Sequence, residues 1–377
     1  DHIKVETKDP DLYPKFTSQY TDQTVAANSV IVVCGDKSKV VSNSDMWETS
    51  TNYQTYQTQT TGFDGEGQIT SAITYVTSEN NPKVYWVTGH GEASESDLST
   101  NFSDAINKNN VEISDLALMT DDIPEDAEEL VIMSPTTDFS EDEANKVITY
   151  LENGGKLLMF TSYTGTDMPN LDSILENYGV KRSSGIVVET DSQHYYPQMP
   201  YYLLPNIQSD DITTEVKSNY ILMPVAQAIQ KLDSYRDTIT IKSLLTTTED
   251  AYIENDPENS TWSKSADSET GAFDLGVSIT ETVDDKETQI IYFSSASMLS
   301  SQIDQAISGA NSKLAATALT SMCDVEQTVV IPSKSTSYTN LVFTQGAVNT
   351  WSIITIAGIP LVLVVIGVMI WMKRRKQ

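Results

Sequence analysis

From Trp351 to Met372 the chain runs 22 residues without a charge, WSIITIAGIPLVLVVIGVMIWM. A helix of that length, at about 1.5 Å per residue, crosses a hydrocarbon core of roughly 30 Å. Trp351 and Trp371 sit near its two ends, where indoles favour the headgroup level. Gly358 and Pro360 are poor residues for a soluble helix but are tolerated in a membrane span. Within this sequence only Lys373, Arg374, Arg375, Lys376 and Gln377 follow, so lipid rather than a protein core is the expected surrounding. The same four basic residues orient the segment, because the twenty residues before it hold only Lys334. By the positive-inside rule the tail is cytoplasmic and residues 1–350 are extracytoplasmic. An exported body needs a leader, and Asp1 is neither Met nor part of an apolar stretch. A preceding segment is therefore expected upstream.

Charge excludes some partners. The chain carries 23 Lys+Arg against 53 Asp+Glu, a net −30. Such a surface repels nucleic acid phosphates and anionic headgroups, and keeps an ectodomain soluble. The apolar fraction of 39% is sufficient for real cores. Cys34 and Cys323 allow at most one disulfide, and both lie in or beside apolar runs, which suggests buried thiols.

Periodicity divides the body. Leu12–Tyr20 reads as a short helix, and SVIVVC (Ser29–Cys34), turned at Gly35–Asp36, pairs with Lys39–Ser42. Residues 47–61 are polar and read as a loop or exposed edge. Ile69, Ala72, Ile73 and Val76 mark a helix over Glu66–Thr77. After Asn81–Pro82, strands and helices alternate. Val84–Val87 is a strand, Leu98, Phe102 and Ile106 share a helix face, and Val111–Leu118 and Leu130–Met133 are strands. A capping box at Ser140/Glu143 opens a helix that ends at Gly154–Gly155. Lys156–Phe160 and Gly185–Glu189 are strands flanking a helix at Leu171–Tyr178. This alternation implies a mainly parallel sheet with helices on both faces. Residues 191–215 read as a surface excursion and 250–270 as a polar loop. Strands are expected at Val216–Val225, Ile239–Leu245, Phe273–Ile279, Gln289–Phe293 and Thr328–Ile331, with one helix through Ile303–Leu314.

The loop Gly89-His90-Gly91-Glu92 is the candidate binding segment. It follows a strand and precedes a helix, where open parallel sheets place ligands. A histidine and a carboxylate two apart suit a base and its orienter, and free N–H groups at a helix start suit an anion. Two glycines equally suit a tight turn in which His90 and Glu92 cap or bridge neighbouring elements. No catalytic residue is assigned. His2 and His194 lie in unrelated contexts, which argues against a histidine metal site. No G-x-S-x-G elbow follows a strand. Ser134 comes nearest, but Pro135 has no N–H for an oxyanion hole. No Walker-type loop or other cofactor motif is present.

YWVTGHGE (Tyr85–Glu92), IPEDAEELVIMSP (Ile123–Pro135), LENGGKLLMF (Leu151–Phe160) and NLDSILENYGV (Asn170–Val180), in that order, resemble the auxiliary component of gliding-motility-type ABC transporters. The resemblance implies a partial thioredoxin-like unit over residues 1–61, a connecting helix over 62–81 and an α/β domain over 82–325. That domain is similar to class I glutamine amidotransferases without the catalytic cysteine. A juxtamembrane segment (326–350), a transmembrane helix (351–372) and a basic tail (373–377) complete the expected organisation. It implies an extracytoplasmic membrane subunit beside an ABC permease and a cytoplasmic ATPase. The leading expectation is a non-catalytic accessory protein, without a cofactor, whose ectodomain binds a substrate, an envelope component or a partner protein. Two rivals are a membrane-tethered hydrolase using His90 and Glu92, and a surface carbohydrate- or protein-binding protein. The second would use Tyr53, Tyr56, Tyr195, Tyr196, Tyr201 and Tyr202.

Overall fold

A computed structural model describes residues 3–13, 15–21, 24–52, 57–78, 81–258, 261–323, 331, 334–335 and 343–375. Only a single 3-10 turn, Thr17–Gln19, occupies the helix expected over Leu12–Tyr20. The first hairpin pairs β1 (Val30–Cys34) with β2 (Lys37–Val41) about the Gly35–Asp36 turn, where Gly35 has φ +58°. Cys34 is exposed, against expectation, because this two-stranded sheet leaves one face in water. Of the two readings of residues 47–61 the described part, which excludes Tyr53 and Tyr56, is edge rather than loop: β3 (Trp47–Asn52) and β4 (Gln57–Phe63) pair antiparallel. Their threonine content explains both the strand and its polar look. α1 (Gly65–Thr77) packs on the first hairpin.

The body is one sheet of eleven strands. Its first part runs β5 (Lys83–Thr88), α2 (Thr100–Lys108), β6 (Glu112–Ala117), β7 (Glu129–Met133), α3 (Glu141–Glu152), β8 (Lys156–Phe160) and α4 (Pro169–Asn177). Next come β9 (Val180–Val188), β10 (Tyr195–Tyr196), β11 (Met199–Leu203), β12 (Asn206–Ile207), β13 (Met223–Pro224), β14 (Gln227–Lys231) and β15 (Ile239–Thr246). The last part is β16 (Tyr252–Glu254), β17 (Asp274–Val283), β18 (Lys286–Phe293), α5 (Ser301–Ala306) and α6 (Ala310–Met322). Five strands, in the order β6-β5-β7-β8-β18, are parallel, with Trp86 opposite Val131 and Leu158 opposite both Val131 and Ile291. The apolar runs of β5, β7, β8 and β18 are buried on both faces, as central parallel strands require, whereas the edge strand β6 is largely exposed. The other six strands of that sheet, β9, β12 and β14–β17, join antiparallel, beginning with the β17–β18 hairpin, whose Asp284–Asp285 turn has φ of +49° and +63°. Strands β10, β11 and β13 form a separate three-stranded antiparallel sheet.

Two cores flank the sheet. Trp86, Val131 and Leu158 meet Phe102 and Ile106 of α2 and Leu314 and Leu319 of α6 on one face. Leu130, Ile132 and Leu157 meet Val147 and Leu151 of α3 and Leu171 of α4 on the other. Each such fully buried side chain contributes about 1.5–3 kcal/mol. The segment 191–215 feeds the first core through Leu203, Leu204 and Ile212, so it is not a surface excursion. The strand expected over Val216–Val225 shrinks to β13, and the expected single helix breaks at Gly309, which has φ +80°. Thr328–Val330 lie outside the described residues; β19 (Lys334–Ser335) pairs with β4.

One continuous helix, Gln345–Arg375, contains the uncharged run and is long and apolar enough to cross a membrane. It comprises α7 (Gln345–Ile353), a π turn over Ile354–Gly358 and α8 (Ile359–Arg375). Pro360 accounts for the π turn: without its N–H, upstream carbonyls reach one residue further along the chain. The Ile359 N–H accordingly donates to the Ile354 carbonyl. Thr355 does not replace the missing donor at Ile356, since its hydroxyl donates to the Trp351 carbonyl at 2.8 Å.

Candidate functional site

In the parallel half the strand order reverses between β5 and β7, with α2 and α3 on opposite faces. Open α/β sheets bind ligands in the crevice above such a reversal. The loops that border it here are Gly89–Glu92 after β5 and Ser134–Phe139 after β7.

The two glycines have separate reasons. Gly89 has φ +123° and Gly91 φ +76°, and a Cβ on Gly91 would overlap the Thr136 hydroxyl. The chain between them turns back so that the His90 carbonyl accepts from the amides of Thr136 (2.9 Å) and Thr137 (3.1 Å). Both threonine hydroxyls also lie 3.2 Å from it. The Ala93 amide donates to the Met133 carbonyl at 2.9 Å. The two loops are thus stitched across the crevice by the protein's own groups.

The His90 ring points inward and is only 5% exposed. It packs on Phe139, centroids 4.4 Å apart, between two carboxylates. Nε2 lies 3.2 Å from Glu143 Oε2 and Nδ1 3.4 Å from Glu92 Oε1. Glu92 Oε2 accepts from the His90 amide at 2.7 Å. Glu143 Oε2 also accepts from the Ser140 amide (2.8 Å) and hydroxyl (2.7 Å), completing the capping box of α3. Burial alone would raise the Glu143 carboxyl, but the Ser140 hydrogen bonds and the imidazole hold it below its usual range. The arrangement ties β5 to the start of α3. A ring with both nitrogens facing buried carboxylates presents none to a substrate.

The loop does not open a helix. α2 begins only at Thr100, and Ser99 caps it by accepting from the Asn101 amide. The anion site imagined at Gly89–Glu92 is therefore not formed. Ser134 has φ +54° at the end of β7, and its hydroxyl donates to the Ser162 hydroxyl at 2.8 Å. That strained strand end was visible in the sequence only as a serine before proline. Glu143 was legible as a cap but not as the partner of His90. Among the described residues no three His, Cys, Asp or Glu side chains converge on a metal-sized site.

A cleft of about 740 Å³ opens at the opposite, amino end of the strands, lined by Ile123, Glu125, Glu128, Lys146, Tyr150 and Lys156 among others. Nearby, Glu129 is fully buried, with the Cys323 thiol donating to its Oε2 at 3.3 Å. Burial pushes the Glu129 carboxyl well above its usual range and pushes the Cys323 thiol up as well.

The expected anchor residues Trp351, Pro360, Trp371, Lys373, Arg374 and Arg375 lie on the Gln345–Arg375 helix, remote from the loop; Lys376 is outside the described residues. Arg375 stacks over the Trp371 ring at 5.2 Å.

No curated protein matches the chain. Among solved structures it is similar to the N-terminal domain of mmIFT52, at 15% identity and TM-score 0.47, over 64% of this chain and 96% of that one. It is also similar to a ThuA-like protein of Parabacteroides merdae, at 13% identity and TM-score 0.35, over 71% and 99%. An exo-β-1,4-mannosidase from an Opitutaceae bacterium is similar at 10% identity and TM-score 0.33, over 67% of this chain and 37% of that one. The family described as ABC-type uncharacterized transport system matches residues 81–321, well over half of the chain, and the protein belongs to that family as an auxiliary component.

Proposed function

We propose that this protein is a non-catalytic, membrane-anchored accessory subunit of an ABC transporter of the gliding-motility type, its body extracytoplasmic and its basic tail cytoplasmic. It stands beside a permease and an ATPase and presents its α/β body to a substrate, an envelope component or a partner protein. The domain organisation set out from the sequence, with thioredoxin-like and amidotransferase-like units, belongs to this reading. Gly89, His90, Gly91 and Glu92 serve in it as a rigid, partner-facing turn. The observation that carries the non-catalytic part is the His90 ring, buried between Glu92 and Glu143 beneath a crevice closed by Thr136 and Thr137.

The anchor supports assembly with a permease. Gly358 and Gly367 are nine residues apart, about 180° around a helix at 100° per residue. They do not make one small-residue face for self-pairing, and no G-x-x-x-G is present. The test replaces Trp351–Met372 by a generic Leu/Ala span while keeping Lys373–Lys376. Membrane insertion should persist and co-purification of permease and ATPase should weaken. Full retention of both subunits would show that the helix does not carry assembly, and absence of both from the wild-type complex would refute the transporter reading.

A further inference from the structure

The helix that crosses the membrane is seated on the body by a compact joint. The Gly346 amide donates to the Ser192 carbonyl at 2.7 Å, and the Thr344 hydroxyl donates to Gln193 Oε1 at 3.0 Å. The Gln198 amide donates to Gln345 Oε1 at 3.0 Å. Gly346 is buried there, and a Cβ on it would overlap the Gln193 amide. Gln198, with φ +67°, is at the tip of the β10–β11 hairpin. The first turn of the helix therefore holds this hairpin at a defined height. From Gln345 to Trp351 is six residues, about 9 Å along the axis, and the headgroup layer is roughly 5–7 Å deep on each side of the hydrocarbon. The hairpin tip consequently lies within one side chain's length of the headgroups.

What the hairpin carries suits that position. Tyr196, Tyr202 and Leu203 pack into the core, whereas Tyr201, half-buried, stacks on Trp262 instead and Met199 points to solvent at the start of the strand. Met199 is exposed, as is Phe343 just before the helix. Trp262 stacks on Tyr201 with centroids 4.4 Å apart, and holds φ +55°, a conformation a bulky residue adopts only under constraint. Indole and phenol rings are the side chains that favour the membrane–water boundary.

We infer that Tyr201, Trp262 and Met199 form a foot by which the body rests on the headgroup layer of the membrane its own helix enters. The matching surface is zwitterionic, because the body's acidity opposes an anionic one. This rests on the reading of Gln345–Arg375 as a membrane span.

The experiment uses the full chain in phosphatidylcholine vesicles containing a headgroup-nitroxide lipid. One variant replaces Trp47, Trp351 and Trp371 by Phe, leaving Trp262 and the buried Trp86 as an unquenched reference for the fold. A second replaces Trp47, Trp262 and Trp371 by Phe, leaving Trp351 with the same reference. Quenching of more than half of the Trp262 emission, comparable with that of Trp351, is the expected result. Replacing a third of the lipid by phosphatidylglycerol should reduce the Trp262 quenching and leave that of Trp351 unchanged. Quenching of Trp351 with undiminished Trp262 emission overturns the foot and leaves the span intact. If neither is quenched, the span itself is wrong and the foot falls with it.

Discussion

Glu129 gives the sharpest quantitative test of the packing. Its carboxyl is fully buried at the start of β7, and burial is the main reason its pKa is well raised. Glu128 adds to the shift, whereas the Cys323 thiol and Lys156 oppose it. A group with a raised folded pKa favours folding most below its unfolded value, and that contribution is lost as pH climbs toward the folded value. Above about pH 5 the unfolded chain has released this proton, and wherever the folded chain still holds it stability falls by at most about 1.4 kcal/mol per pH unit. Glu129→Gln preserves the shape and an acceptor for the thiol but removes the proton. Between pH 5.5 and 7.5 the stability of the variant relative to wild type should therefore rise, by no more than about 3 kcal/mol. For a domain of this size that upper limit corresponds to roughly 6–12 °C in melting temperature. Thermal unfolding of both proteins in the same detergent, followed by circular dichroism at the two pH values, measures it. Comparing the two proteins cancels the titration of groups that do not interact with Glu129. Melting curves that stay parallel across this pH range would show that Glu129 is ionised in the fold, and the account of its burial would be wrong.

Other residues make separate claims. His90→Ala leaves the Glu92 and Glu143 carboxylates buried without the imidazole, and should cost about 3–5 kcal/mol in denaturant unfolding without abolishing any turnover by the purified protein. Asp304 is fully buried and accepts from Ser99 Oγ, Asn101 Nδ2, and both the amide and hydroxyl of Ser312. Asp304→Ala should destabilise by about 3–5 kcal/mol and increase hydrogen exchange in both α2 and α6, whereas a loss confined to α6 contradicts the proposed bridge. Burial lowers the Lys39 ammonium to about 8. At pH 8 it should acylate faster than exposed Lys264 in competitive labelling read by peptide mapping, and equal rates would refute the shift.

The parts of the fold legible from sequence are those whose signals are local. VYWV, ELVIM and KLLMF are buried on both faces and read as strands without knowledge of their neighbours. The Ser140/Glu143 box and the left-handed Gly154 mark the two ends of α3 within a few residues. The antiparallel half is different. β14 (QAIQK) buries Gln227, whose side-chain amide donates to the Ser183 carbonyl at 2.6 Å, so its polarity hides its place in the sheet. The 191–215 segment reads as surface because it is rich in proline, tyrosine and polar residues, yet Leu203 and Leu204, directly after its last tyrosine, enter the core. The broken helix after Ser300 has one continuous apolar face in sequence. What divides it is Asp304 reaching forward to the Ser312 amide, a contact no periodicity records.

The candidate loop shows the same division at closer range. Its glycines announce a turn, and the preceding strand places that turn at the carboxyl edge of a sheet. Whether such a turn is open or closed depends on partners far along the chain, since Thr136 is 46 positions from the His90 carbonyl it meets. A crevice that recognises a ligand keeps hydrogen-bonding groups unspent until the ligand arrives. Here the His90 carbonyl is saturated by Thr136 and Thr137, the Ala93 amide by Met133, and the Ser134 amide by the Phe160 carbonyl at 2.8 Å. These backbone groups at the reversal of strand order hold the two loops together instead, and the polar side-chain atoms there without a hydrogen bond, His90 Nδ1, Glu92 Oε1 and Glu143 Oε1, are buried. Recognition then has to use surface that the fold leaves uncommitted, and the stitched edge acts as the rigid frame on which that surface is carried.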